Sequence, residues 1–217
     1  IAAPMLYLLK PGVAQRLKDF TAAGGVVVTT WLTGYVDEST LAFLGGFPGD
    51  GLMELTGVEA AELDTLYPGQ SNRIRWNGKE YPAAEFCELL TLRGAKAAGT
   101  YLEDFYAGQP AVTVHPYGKG MSVHIAARVE DDCLLDIYAD IFKERHMGIK
   151  ALPLGLEIHS RVDGEKRYRF YLNFSEGKVK LPSVPAKCRD MITGEEIPVG
   201  TVRELDCYGF LVTEEEL

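Results

Sequence analysis

Ile1-Ala2-Ala3-Pro4-Met5-Leu6-Tyr7-Leu8-Leu9 and Val26-Val27-Val28-Thr29-Thr30, with the helical stripe between them, form the stretch that decides the fold. The first run is apolar enough for a strand buried on both faces, and the second is β-branched throughout. Between them Pro11 suits a helix start, Val13, Leu17 and Phe20 recur at i, i+4 and i+7, and Gly24-Gly25 ends the pattern. Two strands joined by a helix of this length lie parallel with a right-handed crossover, so the frame is α/β. Functional loops in such sheets lie beyond the carboxyl ends of the strands, here Tyr7 to Lys10 and Trp31 to Glu38.

Antiparallel material follows. Arg73-Ile74-Arg75-Trp76 and Lys79-Glu80-Tyr81 flank Asn77-Gly78, the signature of a two-residue hairpin turn. Ala111 to His115 and Met121 to Ile125 read as a second hairpin closed over Pro116-Tyr117-Gly118-Lys119-Gly120, whose glycines suit positive φ. Asp131-Asp132 then caps a helix running to about Arg145, with Leu134, Leu135, Tyr138, Ile141 and Phe142 as its apolar face. Met147 to Leu154 reads as a linker. From Leu156 the period changes to two: Glu157 to Val162 and Arg167 to Phe174 flank Asp163-Gly164, and Lys187 to Ile192, Thr201 to Leu205 and Tyr208 to Thr213 supply further short strands.

Of the 217 residues, 47% are hydrophobic and 24% charged, enough for a sizeable core. A net charge of -9 argues against nucleic acid or an anionic membrane as partner. No apolar run approaches the roughly 20 residues that span a bilayer. Cys87, Cys133, Cys188 and Cys207 form no Cys-x-x-Cys pair and are expected to be free thiols in a reducing cytoplasm. The chain lacks an initiator Met and opens directly on a strand pattern, which leads us to expect a piece excised from a longer polypeptide.

No motif that carries chemistry stands out in the sequence. Gly45 to Gly51 lacks both the Gly-Lys-Ser/Thr ending of a P-loop and the Gly-x-Gly-x-x-Gly spacing, so it reads as turns. Cys87 lies in Glu85-Phe86-Cys87-Glu88-Leu89 without the glycines of a nucleophile elbow, and its acidic neighbours raise a thiol pKa. No loop visible here has the Ser/Thr-rich run of a flavin phosphate site. His115 and His124 lie on opposite arms of one hairpin, and no third metal ligand accompanies them. Paired acids such as Asp37-Glu38, Glu103-Asp104 and Glu195-Glu196 read as caps and turns. The expectation is no catalytic residue, no metal and no cofactor.

Several segments, taken in order, resemble the non-catalytic half of family 42 glycoside hydrolases, the β-galactosidases. They are Ala3 to Leu9, Ala23-Gly24-Gly25, Gly34 to Glu38, Phe43 to Gly49, Thr100-Tyr101, Asp104 to Thr113, Tyr117 to Gly120, Asp190 to Glu195 and Tyr208 to Val212. The resemblance covers essentially the whole chain. It implies a parent with a catalytic TIM barrel, an α/β domain that makes a homotrimer and a small terminal β-domain. Residues 1–148 would be the trimerisation domain, flavodoxin-like or class I glutamine-amidotransferase-like with inserted hairpins and lacking its first βα unit. Residues 149–217 would be the small all-β, sandwich-like domain.

The function so implied is a non-catalytic assembly fragment of a retaining β-galactosidase that cleaves terminal non-reducing β-D-galactosides. The family's catalytic glutamates lie in the barrel, one of them in an Asn-Glu pair. Asn72, Asn77 and Asn173 are each followed by something else, so no catalytic residue carries over. Obligate oligomer contacts resemble a core cut in half, which makes Trp31, Tyr35, Phe43, Phe47 and Tyr106 the interface candidates. The alternative is a self-contained amidotransferase- or flavodoxin-like enzyme or binding domain.

Overall fold

The structure, a computed structural model, describes residues 1–148 and 152–217 and divides into two compact units, Ile1–His146 and Met147–Leu217. The linker expected over Met147 to Leu154 falls partly on residues 149–151, outside the described residues.

In the first unit the opening run is not one strand. Pro4 has no N–H to give a ladder and Met5 turns at φ 41°, so β1 (Ala2–Ala3) stops there and β2 (Leu8–Leu9) starts afresh. The freed N–H of Met5 donates to the Thr30 hydroxyl at 2.7 Å. Ile1 and Met5 are exposed rather than buried on both faces. Helix α1 (Val13–Ala22) begins after Gly12, in the left-handed region at φ 80°, and not at Pro11. Its buried stripe is Ala14, Leu17 and Thr21. Phe20 instead lies over Gly25, where a Cβ would come within 2.2 Å of the ring.

Strand β3 (Val26–Thr30) pairs in parallel with β1, and β4 (Val36–Asp37) pairs in parallel with β2. After the short helix α2 (Leu52–Thr56) the chain becomes antiparallel through β5 (Val58–Thr65), β6 (Asn72–Trp76), the long β7 (Lys79–Leu92), β8 (Lys96–Tyr101) and β9 (Pro110–Tyr117). Strands β10 (Gly120–Ile125) and β11 (Ala127–Val129) complete a nine-stranded sheet in the order β1-β3-β10-β9-β8-β6-β7-β11, with β5 on β7. Only β1, β3 and β10 run parallel in it, so the sheet is mixed and not the parallel sheet expected. Asn77 at φ 45° and Gly78 at φ 79° make the expected turn between β6 and β7.

The β9–β10 tip shows two reasons for glycine. Gly118 needs its φ of 59°, whereas Gly120 has no room for a side chain: a Cβ there would lie 2.0 Å from the Gly25 carbonyl oxygen and 2.3 Å from that of Thr21. Helix α3 (Asp131–Glu144) has Glu130 at its N-cap, and Asp131 and Asp132 occupy the first turn, where negative charge meets the positive end of the helix dipole. It buries Cys133, Ile137 and Ile141 at i, i+4 and i+8. The face read from the sequence included Leu135, which is 67% exposed. Asp140 accepts from Trp76 Nε1 at 2.8 Å and Asn77 Nδ2 at 2.6 Å, and Asp136 from Lys79 at 2.7 Å and from the Tyr81 hydroxyl, which ties the β6–β7 hairpin to α3.

The second unit is all β. A five-stranded antiparallel sheet has the order β12 (Leu156–Asp163), β13 (Lys166–Asn173), β18 (Phe210–Glu216), β15 (Cys188–Asp190), β16 (Glu196–Ile197), and β14 (Val179–Lys180) pairs with β17 (Glu204–Leu205). Its core gathers Leu156, Tyr171, Leu181, Val184, Ile197 and Leu211. Asp163 pairs with Lys166, so the hairpin turn is Gly164-Glu165, one residue beyond the predicted Asp163-Gly164.

Candidate functional site

The five interface candidates separate into three places. Tyr106 is fully buried, edge-on to Tyr101 with centroids 4.9 Å apart, and donates its hydroxyl to Asp64 Oδ2 at 2.7 Å. Burial and the Asp64 bond push its pKa far up, so it is a core residue and offers no surface to a partner. Phe47 is also buried. It underlies a cluster in which Tyr35 meets Phe43 at 4.9 Å, Phe47 at 5.1 Å and Tyr7 at 5.5 Å. Phe43 is 54% exposed, and Leu41 and Leu44, which the sequence reading did not single out, are exposed near it in the chain. Tyr7 and Tyr35 immediately precede β2 and β4, so this aromatic cluster lies at the amino ends of those strands, and both tyrosines fall in the loop regions that the α/β pattern marks.

Asp37 shapes the loop that carries Phe43. Its carboxylate accepts from the Thr40 hydroxyl at 2.6 Å and from the N–H groups of Thr40 and Ser39 at 2.6 and 2.9 Å. The Thr40 hydroxyl first, then these backbone donors, hold the Asp37 pKa down at about 2.

Trp31 stands apart from the cluster. It stacks on Phe86 with centroids 6.4 Å apart and borders a cleft of about 660 Å³ together with Pro82, Glu85, Arg128, Asp131 and Leu134. Its indole N–H is buried with no hydrogen-bond partner among the described residues. Glu85 and Arg128 form an ion pair at the cleft, and Glu85 has φ 60°, the left-handed region that a non-glycine residue enters only at a cost.

The polar constellation that the sequence reading missed is internal. His124 Nε2–H donates to Glu88 Oε2 at 2.8 Å, the Thr29 hydroxyl meets His124 Nδ1 at 2.8 Å, and Glu88 Oε1 accepts the N–H of Leu32 at 2.6 Å. Neither the His124 nor the Glu88 side chain has any exposed surface. The hydroxyl, imidazole and carboxylate sit at relay distances but open onto no cavity, so the group holds structure and has no access to substrate. The one sequence signal was an acid inside the run Cys87-Glu88-Leu89-Leu90.

The remaining candidates resolve individually. Burial pushes the Cys87 thiol up to about 11, which removes the nucleophile that an amidotransferase requires. All four cysteines are free, and Cys207 is the exposed one. His115 opposes Ser122 across the hairpin and bonds the Leu55 carbonyl at 3.0 Å, while His124 opposes Thr113, so the two histidines share no ligand site. No group of His, Cys, Asp and Glu able to hold a metal occurs among the described residues, and no helix among them is long and apolar enough to cross a membrane. In the second unit Glu215 is nearly buried: Oε1 accepts from Arg169 at 2.8 Å and Arg167 at 3.1 Å, and Oε2 has no partner among the described residues.

Comparison with known proteins divides the chain in the same way. Residues 1–148 match the family model of the β-galactosidase trimerisation domain, and residues 155–215 that of the β-galactosidase C-terminal domain. The chain is 39% identical over 221 residues to the β-galactosidase Pbg of Clostridium perfringens, covering 96% of the chain and 31% of that protein. It is 39% identical over 201 residues to the β-galactosidase GalA of Bacillus licheniformis, covering 91% of the chain and 29% of that protein. Among solved structures, the β-galactosidase from Bacillus circulans sp. alkalophilus superposes with a TM-score of 0.87 at 31% identity, over 99% of this chain and 32% of that one. Gan42B, a GH42 β-galactosidase, superposes with a TM-score of 0.86 at 37% identity, over 100% of this chain and 31% of that one. The chain thus spans about a third of the length of the curated relatives it matches.

Proposed function

The chain belongs to the GH42 β-galactosidase family, and from that premise we propose that it is the assembly region of a retaining β-galactosidase acting on terminal β-D-galactosides in carbohydrate metabolism. Residues 1–148 mediate homotrimerisation, residues 149–217 form the small terminal β-domain, and catalysis belongs to a TIM barrel in the same parent chain. The observation that carries this reading is the exposed aromatic and aliphatic surface around Tyr35, Phe43 and Leu44, within the unit that matches a trimerisation domain. Exposed apolar patches of this kind mark association surfaces. Trp31, half-buried at its cleft, is the second contact; Phe47 supports the aromatic surface from beneath, and Tyr106 belongs to the core apart from both.

The flavodoxin- or amidotransferase-like frame is proposed for the β1–β3–β10 ladder and its helix α1 alone. The free thiols support a cytoplasmic location for the parent. The alternative of a self-contained amidotransferase or flavoprotein has no observation in its favour.

Light scattering on a sizing column tests the reading. We expect three times 23.9 kDa for the chain, no turnover of a chromogenic β-galactoside, and dissociation on Phe43→Asp. A monomer at every concentration, or hydrolysis of the galactoside, overturns it.

A further inference from the structure

Glu88 is an acid at a position where packing alone asks for a leucine or methionine. Its side chain has no exposed surface, and a buried ion pair is often no more stabilising than apolar residues of the same volume. What the carboxylate provides beyond packing is an acceptor for a backbone group that has no ladder to join. Leu32 sits at φ 57°, in the left-handed region, and its N–H turns inward onto Glu88 Oε1 at 2.6 Å. The other oxygen is held by His124, itself fixed by Thr29 on β3, so the acceptor cannot swing away. Beyond Leu32 the turn continues with Thr33 Oγ1 donating to the Thr30 carbonyl at 2.6 Å and Gly34 N–H to the Leu6 carbonyl at 2.7 Å.

The two surfaces assigned to assembly lie on either side of this one residue. Trp31 precedes Leu32 and borders the cleft; Tyr35 follows it and centres the aromatic cluster. We infer that Glu88, braced by His124 and Thr29, is a positioning residue for self-association: by holding the Leu32 turn it fixes the Trp31 and Tyr35 surfaces relative to each other. This rests on the reading of residues 1–148 as the trimerising unit.

Three variants test it: Glu88→Gln, Glu88→Met, and the double variant Glu88→Met with His124→Met. Each is followed by thermal unfolding, by hydrogen exchange at the Leu32 amide and by light scattering over a dilution series. Glu88→Gln retains an oxygen for the Leu32 N–H, so wild-type protection and association are expected. Glu88→Met strands the imidazole and should lose stability, Leu32 protection and association together.

The double variant removes both polar partners and should recover most of the thermal stability. Leu32 should still exchange roughly tenfold to a hundredfold faster, the size expected for losing a bond to a charged acceptor, and the trimer should dissociate at concentrations where the wild type is intact. A folded double variant with wild-type Leu32 protection and wild-type association overturns the inference, as does a folded Glu88→Gln chain that loses both. Should the double variant not fold, Glu88→Gln decides alone. A monomeric wild type, with Leu32 exchange accelerated in the double variant, sinks the assembly reading while leaving the role of Glu88 in the turn intact.

Discussion

Two histidine–glutamate pairs in this molecule have the same length and opposite surroundings. His124 and Glu88 lie 2.8 Å apart with neither side chain exposed; His159 and Glu157 lie 2.8 Å apart with about half of each side chain in solvent. A distance alone would rank them equal. In the interior each partner has given up hydration that only protein groups restore, the other partner first among them, whereas on the surface of β12 water replaces a lost partner at once. The comparison teaches that, for a polar group in this protein, the surroundings of the pair decide the cost of breaking it.

The largest contrast is expected from truncating each histidine in turn. His124→Ala leaves Glu88 buried with the Leu32 N–H alone and should cost about 3–5 kcal/mol in denaturant unfolding; His159→Ala should stay within about 0.5 kcal/mol. Equal losses would refute the argument from burial. The cysteines repeat the contrast chemically. Burial lifts Cys87 to about 11 and Cys133 to about 12, so at pH 8 the Cys87 thiolate is on the order of a thousandth of the thiol. Mass spectrometry after brief alkylation of the native chain should show one adduct, on Cys207, and the buried thiols should react only after denaturation.

Arginines give a smaller version of the same test. Arg169→Ala removes one of the two guanidinium groups that hold the nearly buried Glu215 and should cost on the order of 1–3 kcal/mol. Arg128→Ala breaks a pair that is half in solvent and should cost about 0–1 kcal/mol. Asp37 marks the lower end, because its carboxylate lies at the surface yet is held down at about 2, below the usual carboxylate range. A depressed carboxylate contributes order that is complete above its unfolded value and disappears as the pH falls through the folded one. The Thr40 amide resonance should therefore titrate with a midpoint near pH 2, and Asp37→Asn should abolish the titration and lower the unfolding midpoint slightly at neutral pH.

The sequence reading succeeded where the signal is local. Val26–Thr30 is β-branched throughout, and Asn77-Gly78 specifies its turn by the φ values that those two residues tolerate. The switch to period two beyond Leu156 marked the all-β unit. It failed where a distant contact decides. Ile1 to Leu9 looked like one strand because Pro4 is a single residue in an apolar run, yet one missing donor divides the run between two ladders.

The parallel sheet was over-read from its first strands, since the hairpins that extend it are antiparallel and dominate the order. Phe43 and Phe47 are indistinguishable as letters; only the fold sets one in solvent and the other beneath it. Glu88 finds His124 on another strand, 36 residues away, and no spacing rule connects them.

The crowded tip at Gly118–Gly120 bears on engineering. Since a Cβ at Gly120 would collide with the carbonyl oxygens of Thr21 in α1 and Gly25 beyond it, this turn will not accept an inserted epitope or a fluorophore graft. The Gly164-Glu165 tip, where nothing lies within 4 Å of the glycine's missing Cβ, is the place to put one.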